Sequence, residues 1–160
     1  MTTSAPAPAP APIANQERDW PALIARFLAG AMLFYAGFMK LNASADFATT
    51  IANFRMLPAV ANQLLAVVLP WCEVAAGLML IGGVWPRAAG IVAAILFLAF
   101  AVAASSAVLR GLDIQCGCFG TASARRVGVL TVGVDLAGLI ASALVVFARE
   151  AAAPHVPVTA

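Results

Sequence analysis

Two cysteines separated by one residue are the part of this sequence best suited to chemistry. They lie in the stretch Cys116-Gly117-Cys118-Phe119-Gly120, within a short polar segment between apolar ones. Thiol–disulfide exchange needs an accessible thiolate and a second sulfur nearby, and this spacing provides both locally. A disulfide closed over so small a ring is strained and therefore easily reduced. Gly117 and Gly120 supply backbone freedom, and Phe119 can anchor the loop at a membrane interface. The pattern favours a redox pair, Cys116 and Cys118.

Two other interpretations of the cysteine pair remain open. The pair could form a static disulfide or two inert thiols, or it could bind Cu(I), which accepts soft sites with few ligands. Three cysteines are too few for a disulfide framework or for a four-cysteine zinc or iron–sulfur site, so no metal ligands are assigned. The third cysteine, Cys72, is interpreted first as a small buried apolar residue. Its weaker alternative is a third member of a thiol relay.

Charged residues inside apolar segments form a second group of candidates. Such residues usually face the interior of a helix bundle or a cavity, because exposing a charge to lipid is costly. Their estimated depths place Lys40 at the membrane interface opposite Arg26, predict an ion pair between Arg26 and Glu73 and give Asp135 no obvious basic partner. The group is either a structural ion pair that fixes helix register or a polar pocket and proton path, which Lys40 and Arg110 would complete. Oxidation of a dithiol by a quinone moves two protons, so carboxylates near such a site have a purpose.

The composition indicates what holds these residues in place. Of 160 residues, 63% are hydrophobic and 10% are charged, with a mean hydropathy of +0.97. A soluble domain is about 45–50% apolar and about a quarter charged. The chain is therefore predicted to be an integral membrane protein. Its net charge of +2 and scattered basic residues argue against nucleic-acid binding.

Four apolar segments are long enough to cross a bilayer as helices, which needs about 20 residues each. We predict an all-α, integral membrane four-helix bundle with one domain at 19–149, a disordered Ala/Pro-rich tail at 1–18 and a loose tail at 150–160. Pro70, in the second span, is expected to kink it. The spans are predicted at about 20–41, 59–82, 88–109 and 127–148.

The connector between the first two spans carries apolar residues at helical spacing, namely Phe47, Ile51, Phe54 and Leu57. This spacing is typical of a short interfacial helix, capped by Ser44 or Asp46. An ordinary connector is the equal alternative.

Taken together, the motifs resemble the MauE branch of the DoxX-like membrane proteins. The resemblance covers roughly residues 18–148, and its most specific part is the cysteine stretch after Arg110-Gly111. The other matching residues are Arg26, Gly30, Ala36-Gly37, Lys40-Leu41, Leu57-Pro58, Leu69-Pro70, Glu73, Gly77, Gly83 and Arg87. Members of this family are four-span, redox-associated proteins, and MauE-type members are implicated in maturing methylamine dehydrogenase, whose small subunit needs many disulfides.

The resemblance implies a membrane thiol–disulfide redox protein that exchanges electrons with a periplasmic partner or matures its disulfides. The chain would be a quinone-linked oxidoreductase or an accessory factor, with a thioredoxin-like or other periplasmic redox protein as partner. No cofactor is definite, and a quinone fits this chemistry. The alternative is a non-catalytic membrane subunit that docks a larger redox or respiratory complex. In both cases the expected location is the bacterial inner membrane, in contact with lipid.

Orientation is predicted from two arguments that disagree. The rule that positive charge stays in the cytoplasm compares four basic residues on the terminal side with five on the cysteine side, which slightly favours a cytoplasmic cysteine loop. Disulfide exchange belongs to the periplasm, and we predict a periplasmic cysteine loop on that ground. The basic residues are Arg18, Arg26, Arg87 and Arg149 on the terminal side, and Lys40, Arg55, Arg110, Arg125 and Arg126 on the cysteine side.

Overall fold

The computed structural model of the chain describes residues 20–112, 114 and 127–147. These residues form five helices: α1 Trp20–Asn42, α2 Ser44–Asn53, α3 Ala59–Gly82, α4 Pro86–Leu109 and α5 Val129–Phe147. All except α2 are long and apolar enough to cross a membrane. The predicted all-α architecture with four spans is confirmed, and each span's ends lie within two residues of the predicted ones. The predicted tails at 1–18 and 150–160 lie outside the described residues.

The four spans form a ring in which each helix packs against two neighbours. Helix α1 packs against α3 and α5, α4 packs against α5 and α3, and the diagonal contact between α1 and α4 is small. Consecutive spans run in opposite directions, as in an up-and-down bundle. We call the end where α1 begins and α5 ends the terminal end. The other end, where α4 ends and α5 begins, is the loop end.

Glycines allow α1 and α3 to approach closely. A Cβ atom on Gly77 would lie 2.6 Å from the Phe34 backbone nitrogen and 2.7 Å from the Gly30 carbonyl oxygen. On the facing helix, a Cβ on Gly37 would lie 2.8 Å from the Pro70 carbonyl oxygen. Small residues at such crossings are typical of membrane helices, where association depends on close packing. This contact fixes the relative heights of α1 and α3, and so determines which of their side chains can meet.

Replacing Gly77 with alanine is expected to lower the free energy of unfolding by about 1–3 kcal/mol, the usual cost of overpacking. The added methyl group would meet backbone atoms of Phe34 and Gly30, which cannot move without shifting α1. Gly133→Ala is the matched control, because nothing lies within 4 Å of a Cβ at that position. Equilibrium unfolding of both variants in detergent micelles tests this. Equal stabilities would contradict the close helix contact.

The connector between the first two spans is a helix, α2, and not an extended segment. Its predicted caps are wrong: the N-cap position is Ala43, and no side chain caps the helix. The reason is that only Ala43 separates α1 from α2, and its carbonyl accepts a hydrogen bond from the Phe47 N–H at 3.0 Å. Helix α2 buries Phe47 and packs on α3.

Candidate functional site

A lysine and a glutamate form an ion pair inside the bundle. The Lys40 Nζ donates a hydrogen bond to the Glu73 Oε1 at 2.5 Å, and the two side chains are 2% and 0% exposed. The predicted pair of Glu73 with Arg26 is therefore wrong. The Arg26 guanidinium lies at the terminal end, where a Cβ on Gly83 would come within 3.1 Å of its Nη1.

Lys40 lies deeper than the sequence indicated, and the helix lengths explain the error. Lys40 is two residues from the end of α1, but Glu73 is 14 residues after the start of α3. At 1.5 Å per residue, α3 continues for about 21 Å beyond Glu73 toward the loop end. Helix α1 thus ends inside the bundle, and α2 packs on the part of α3 that extends past it. The prediction of Lys40 at an interface assumed that α1 spans the full thickness, and it was wrong.

Asp135 of α5 completes a buried cluster with this pair, which we call the acid–lysine cluster (Lys40, Glu73 and Asp135). Asp135 is 4% exposed, and Coulombic interactions connect it with both Lys40 and Glu73. The prediction that it has no basic partner is thus corrected, because Lys40 attracts it. Within the described residues, the Glu73 Oε2 and Asp135 Oδ2 atoms are buried without a hydrogen-bond partner. Two carboxyls therefore share one ammonium group, and each has an oxygen atom available to accept or carry a proton.

A cavity of about 290 Å³ adjoins this cluster, and we call it the loop-end cavity. The Lys40 Nζ lies 4.5 Å from the centre of the Phe100 ring and 5.2 Å from that of Phe47, which is the geometry of a cation–π contact. The walls are otherwise mainly apolar. The lining residues are Lys40, Phe47, Thr50, Ile51, Phe54, Met56, Leu57, Asn62, Leu65, Leu69, Ala99, Phe100, Ala103 and Ala104.

Asn62, which sequence reasoning missed, adds an amide group to the cavity wall. It is 8% exposed, and its Oδ1 is buried without a hydrogen-bond partner in the described part of the chain. Its Nδ2 donates a long hydrogen bond of 3.4 Å to the Leu57 carbonyl. A polar Asn62-Gln63 pair at the start of an otherwise apolar span was the signal that could have indicated it.

Arg110 lies outside the acid–lysine cluster and holds α2 in place. Its Nη1 donates a hydrogen bond to the Phe54 carbonyl at 2.9 Å, which joins the end of α4 to the end of α2. The Ser106 hydroxyl reinforces this junction by approaching the Met56 sulfur at 3.3 Å. Arg110 therefore helps to shape the loop-end cavity from a distance.

The segment that contains the cysteine pair starts and finishes at the loop end. After α4, the Leu112 N–H donates to the Ala107 carbonyl at 3.0 Å, and Gly111 takes a left-handed conformation with φ 61°. The Val127 N–H then donates to the Ile114 carbonyl at 2.9 Å, just before α5. These contacts hold the two ends of the intervening segment together. The five residues of Cys116-Gly117-Cys118-Phe119-Gly120 lie outside the described residues, and their roles stay predictions.

Cys72 is on the outer surface of α3, and its predicted burial is wrong. It precedes Glu73, which is fully buried, so the two side chains point to different faces of the helix. Outward placement separates Cys72 from the acid–lysine cluster. Among the described residues, no group of three or more histidine, cysteine or acidic side chains could hold a metal ion.

The chain matches known proteins over most of its length. The family model described as methylamine utilisation protein MauE matches residues 18–149, which include the cysteine pair and the acid–lysine cluster. The MauE of Paracoccus denitrificans is 38% identical over 116 residues, 71% of this chain and 61% of that protein. The MauE of Methylophilus methylotrophus is 32% identical over 122 residues, 74% of this chain and 64% of that protein. The chain thus spans less than two thirds of these relatives' length. No solved structure matches it significantly.

Proposed function

This chain belongs to the MauE family of membrane proteins, and we propose that it exchanges thiols and disulfides with a periplasmic partner at the loop end of its bundle. Its relatives are named methylamine utilisation proteins, and we extend that process to this chain as part of the proposal. The partner is a thioredoxin-like or other periplasmic redox protein, or a client whose disulfides are being formed. The membrane is the bacterial inner membrane.

The observation that carries the proposal is the position of the segment's two ends. Ile114 and Val127 are hydrogen-bonded to each other at the loop end, which is also where α2 and the loop-end cavity lie. The segment that contains the C-x-C pair thus leaves and rejoins the bundle at the loop end, and we propose that the exchange takes place there. The acid–lysine cluster beside the cavity supplies carboxyl oxygens for the protons that dithiol oxidation releases.

The exchange follows ordinary thiol–disulfide chemistry. A thiolate of the reduced partner attacks one sulfur of the Cys116–Cys118 disulfide, so that a mixed disulfide forms and the other cysteine leaves as a thiolate. The partner's second thiolate then attacks the mixed disulfide and releases this chain as a dithiol. The partner loses two electrons and this chain gains them. The reverse sequence would reduce a partner.

A single serine substitution within the pair is expected to trap the mixed disulfide with an oxidised partner. The remaining thiolate attacks the partner's disulfide, and the second sulfur of this chain, which would resolve the mixed disulfide, is missing. We expect either Cys116→Ser or Cys118→Ser to accumulate a covalent adduct with the partner that disappears on reduction, detectable by non-reducing gels and mass spectrometry. Cys72→Ser, on the outer surface of α3, is the control and should trap nothing. Absence of any adduct in both variants, with the wild-type thiols permanently free or permanently joined, would refute the proposal.

The loop end is placed at the periplasm in this proposal. The structure changes the charge comparison, because Lys40 is 1% exposed and paired with Glu73. Removing it from the five basic residues on the cysteine side leaves four on each side, so the positive-inside rule no longer favours a cytoplasmic loop. A thiol reagent that cannot cross membranes should label Cys116 and Cys118 in spheroplasts without lysis. Labelling only after lysis would reverse the orientation.

A further inference from the structure

We infer that the loop-end cavity binds the ring of a quinone, which takes the electrons of the cysteine pair. The inference rests on the proposed thiol–disulfide function for its purpose, but the cavity's lining supports it independently. A membrane protein that repeatedly oxidises dithiols needs a two-electron acceptor, and a lipid-soluble acceptor can reach a cavity inside a transmembrane bundle.

The size and lining of the cavity suit a ring with a few substituents. Its volume of about 290 Å³ is close to the lower end of the range of about 300–1,000 Å³ for small-molecule pockets. The aromatic side chains of Phe47 and Phe100 face this space along with small residues such as Ala103 and Ala104. A planar ring can lie against aromatic and methyl surfaces at little cost, and the small residues leave room for it.

Two polar groups in the wall match the oxygens of both redox forms. An ammonium group carries three donors, and the contact of Lys40 with Glu73 uses one, so another can bind a quinone carbonyl oxygen. Asn62 supplies a hydrogen-bond acceptor. Its buried Oδ1 has no donor among the described residues and can accept a hydrogen bond from the O–H of a quinol. A fatty-acid carboxylate would satisfy the ammonium group but would leave Asn62 unpaired. A buried polar atom without a partner is costly, and the quinol relieves that cost.

The electrons and protons balance with a quinone as acceptor. Oxidation of Cys116 and Cys118 breaks two S–H bonds, forms one S–S bond and releases two electrons and two protons. Reduction of the quinone consumes both electrons and both protons and forms two O–H bonds. The carboxyls of Glu73 and Asp135 have unpaired oxygens and interact with Lys40. Lys40 is the member of the cluster that lines the cavity, so protons would reach the ring through its ammonium group.

Photolabelling with a short-chain azidobenzoquinone tests the site in the full-length protein in nanodiscs. Labelled peptides should map to α2, to the first half of α3 and to the second half of α4. Ala103→Phe should lower specific labelling at least tenfold, because its ring would occupy the cavity that Ala103 lines. Ala88→Phe is the matched control: it is the same change on the same helix at an exposed position, and labelling should stay unchanged. Asn62→Leu should weaken binding of the quinol more than that of the quinone.

The outcomes separate this inference from the proposed function. Labelling of the Cys116→Ser, Cys118→Ser double variant should equal that of the wild type, since no cysteine lines the described cavity. If thiol exchange fails but labelling persists with Ala103→Phe sensitivity, the quinone site stands without the proposed function. Labelling that is spread over lipid-facing residues, or unchanged in Ala103→Phe, would overturn the inference. So would equal displacement of the probe by a fatty acid of the same chain length.

Discussion

Replacing Cys116 and Cys118 together with serine is expected to abolish oxidation of the partner, with a loss of at least a hundredfold in the rate of disulfide formation. Serine keeps the size and polarity of the side chain but cannot form a disulfide, and thiolate chemistry is the whole of the proposed step. The measurement is the redox state of the partner's cysteines over time, by thiol trapping and mass spectrometry, in membranes that contain the variant or the wild type.

Two controls separate this result from misfolding. The double variant should unfold at the same denaturant concentration as the wild type, because the substituted residues lie between α4 and α5 and outside both helices. Cys72→Ser, which removes an exposed thiol from α3, should leave partner oxidation within twofold of normal. Full activity in the double variant would instead favour a non-catalytic membrane subunit, and the chain should then co-purify with a larger complex.

The positions of the spans were predictable because they depend on a local property. A run of about 20 apolar residues has to form a helix in a membrane, since unpaired backbone groups are too costly in lipid. Pro86 within the first turn of α4 and Gly83 in a left-handed conformation after α3 also follow from the residues alone. Together they set the turn between these two helices.

The partner of Glu73 was not predictable in this way, because it depends on the relative heights of two helices. The close approach of Gly37 to Pro70 sets that height for α1 and α3, and no residue count along one helix supplies it. A local signal was nevertheless available. Lys40 follows Leu33, Ala36 and Gly37 at helical spacing, so all four lie on one face, and the first three are small or apolar residues of the core. A lysine on that face points into the bundle.

The cavity was harder still to predict, because its walls come from three spans, α1, α3 and α4, and from the connector that contains α2. Phe47 was identified by its spacing on α2, but Phe100 and Ala103 look like ordinary members of the most apolar span. What creates the space is the early end of α1, which leaves the start of α3 to be covered by the shorter α2. Because α1 ends early, Lys40 lies in the wall of a cavity, although the sequence predicted it at the membrane surface.

We expect the attraction between Lys40 and the two carboxylates to determine how substitutions in the acid–lysine cluster change the free energy of unfolding. A cycle of variants tests this. Glu73→Gln is expected to lower the free energy of unfolding by about 3–5 kcal/mol, the usual cost of breaking a buried ion pair. Asp135→Asn alone should cost less, because the hydrogen bond between Lys40 and Glu73 remains. Combining the two should cost about 1–3 kcal/mol more than their sum, because Lys40 then keeps no carboxylate partner within the described residues.

The decisive variant adds Lys40→Met to that double substitution. If the double variant is destabilised because the Lys40 ammonium group has lost its carboxylate partners, removing that group should recover stability. This would happen although the triple variant differs more from the native sequence. If the carboxyl side chains contribute only packing, the third change should destabilise further, since it removes one more buried side chain. Asp46→Asn, at an exposed position on α2, is the control and should change stability by no more than about 0.5 kcal/mol. Unfolding in mixed micelles measures all five proteins against the wild type, and a triple variant less stable than the double would refute the electrostatic account of the cluster.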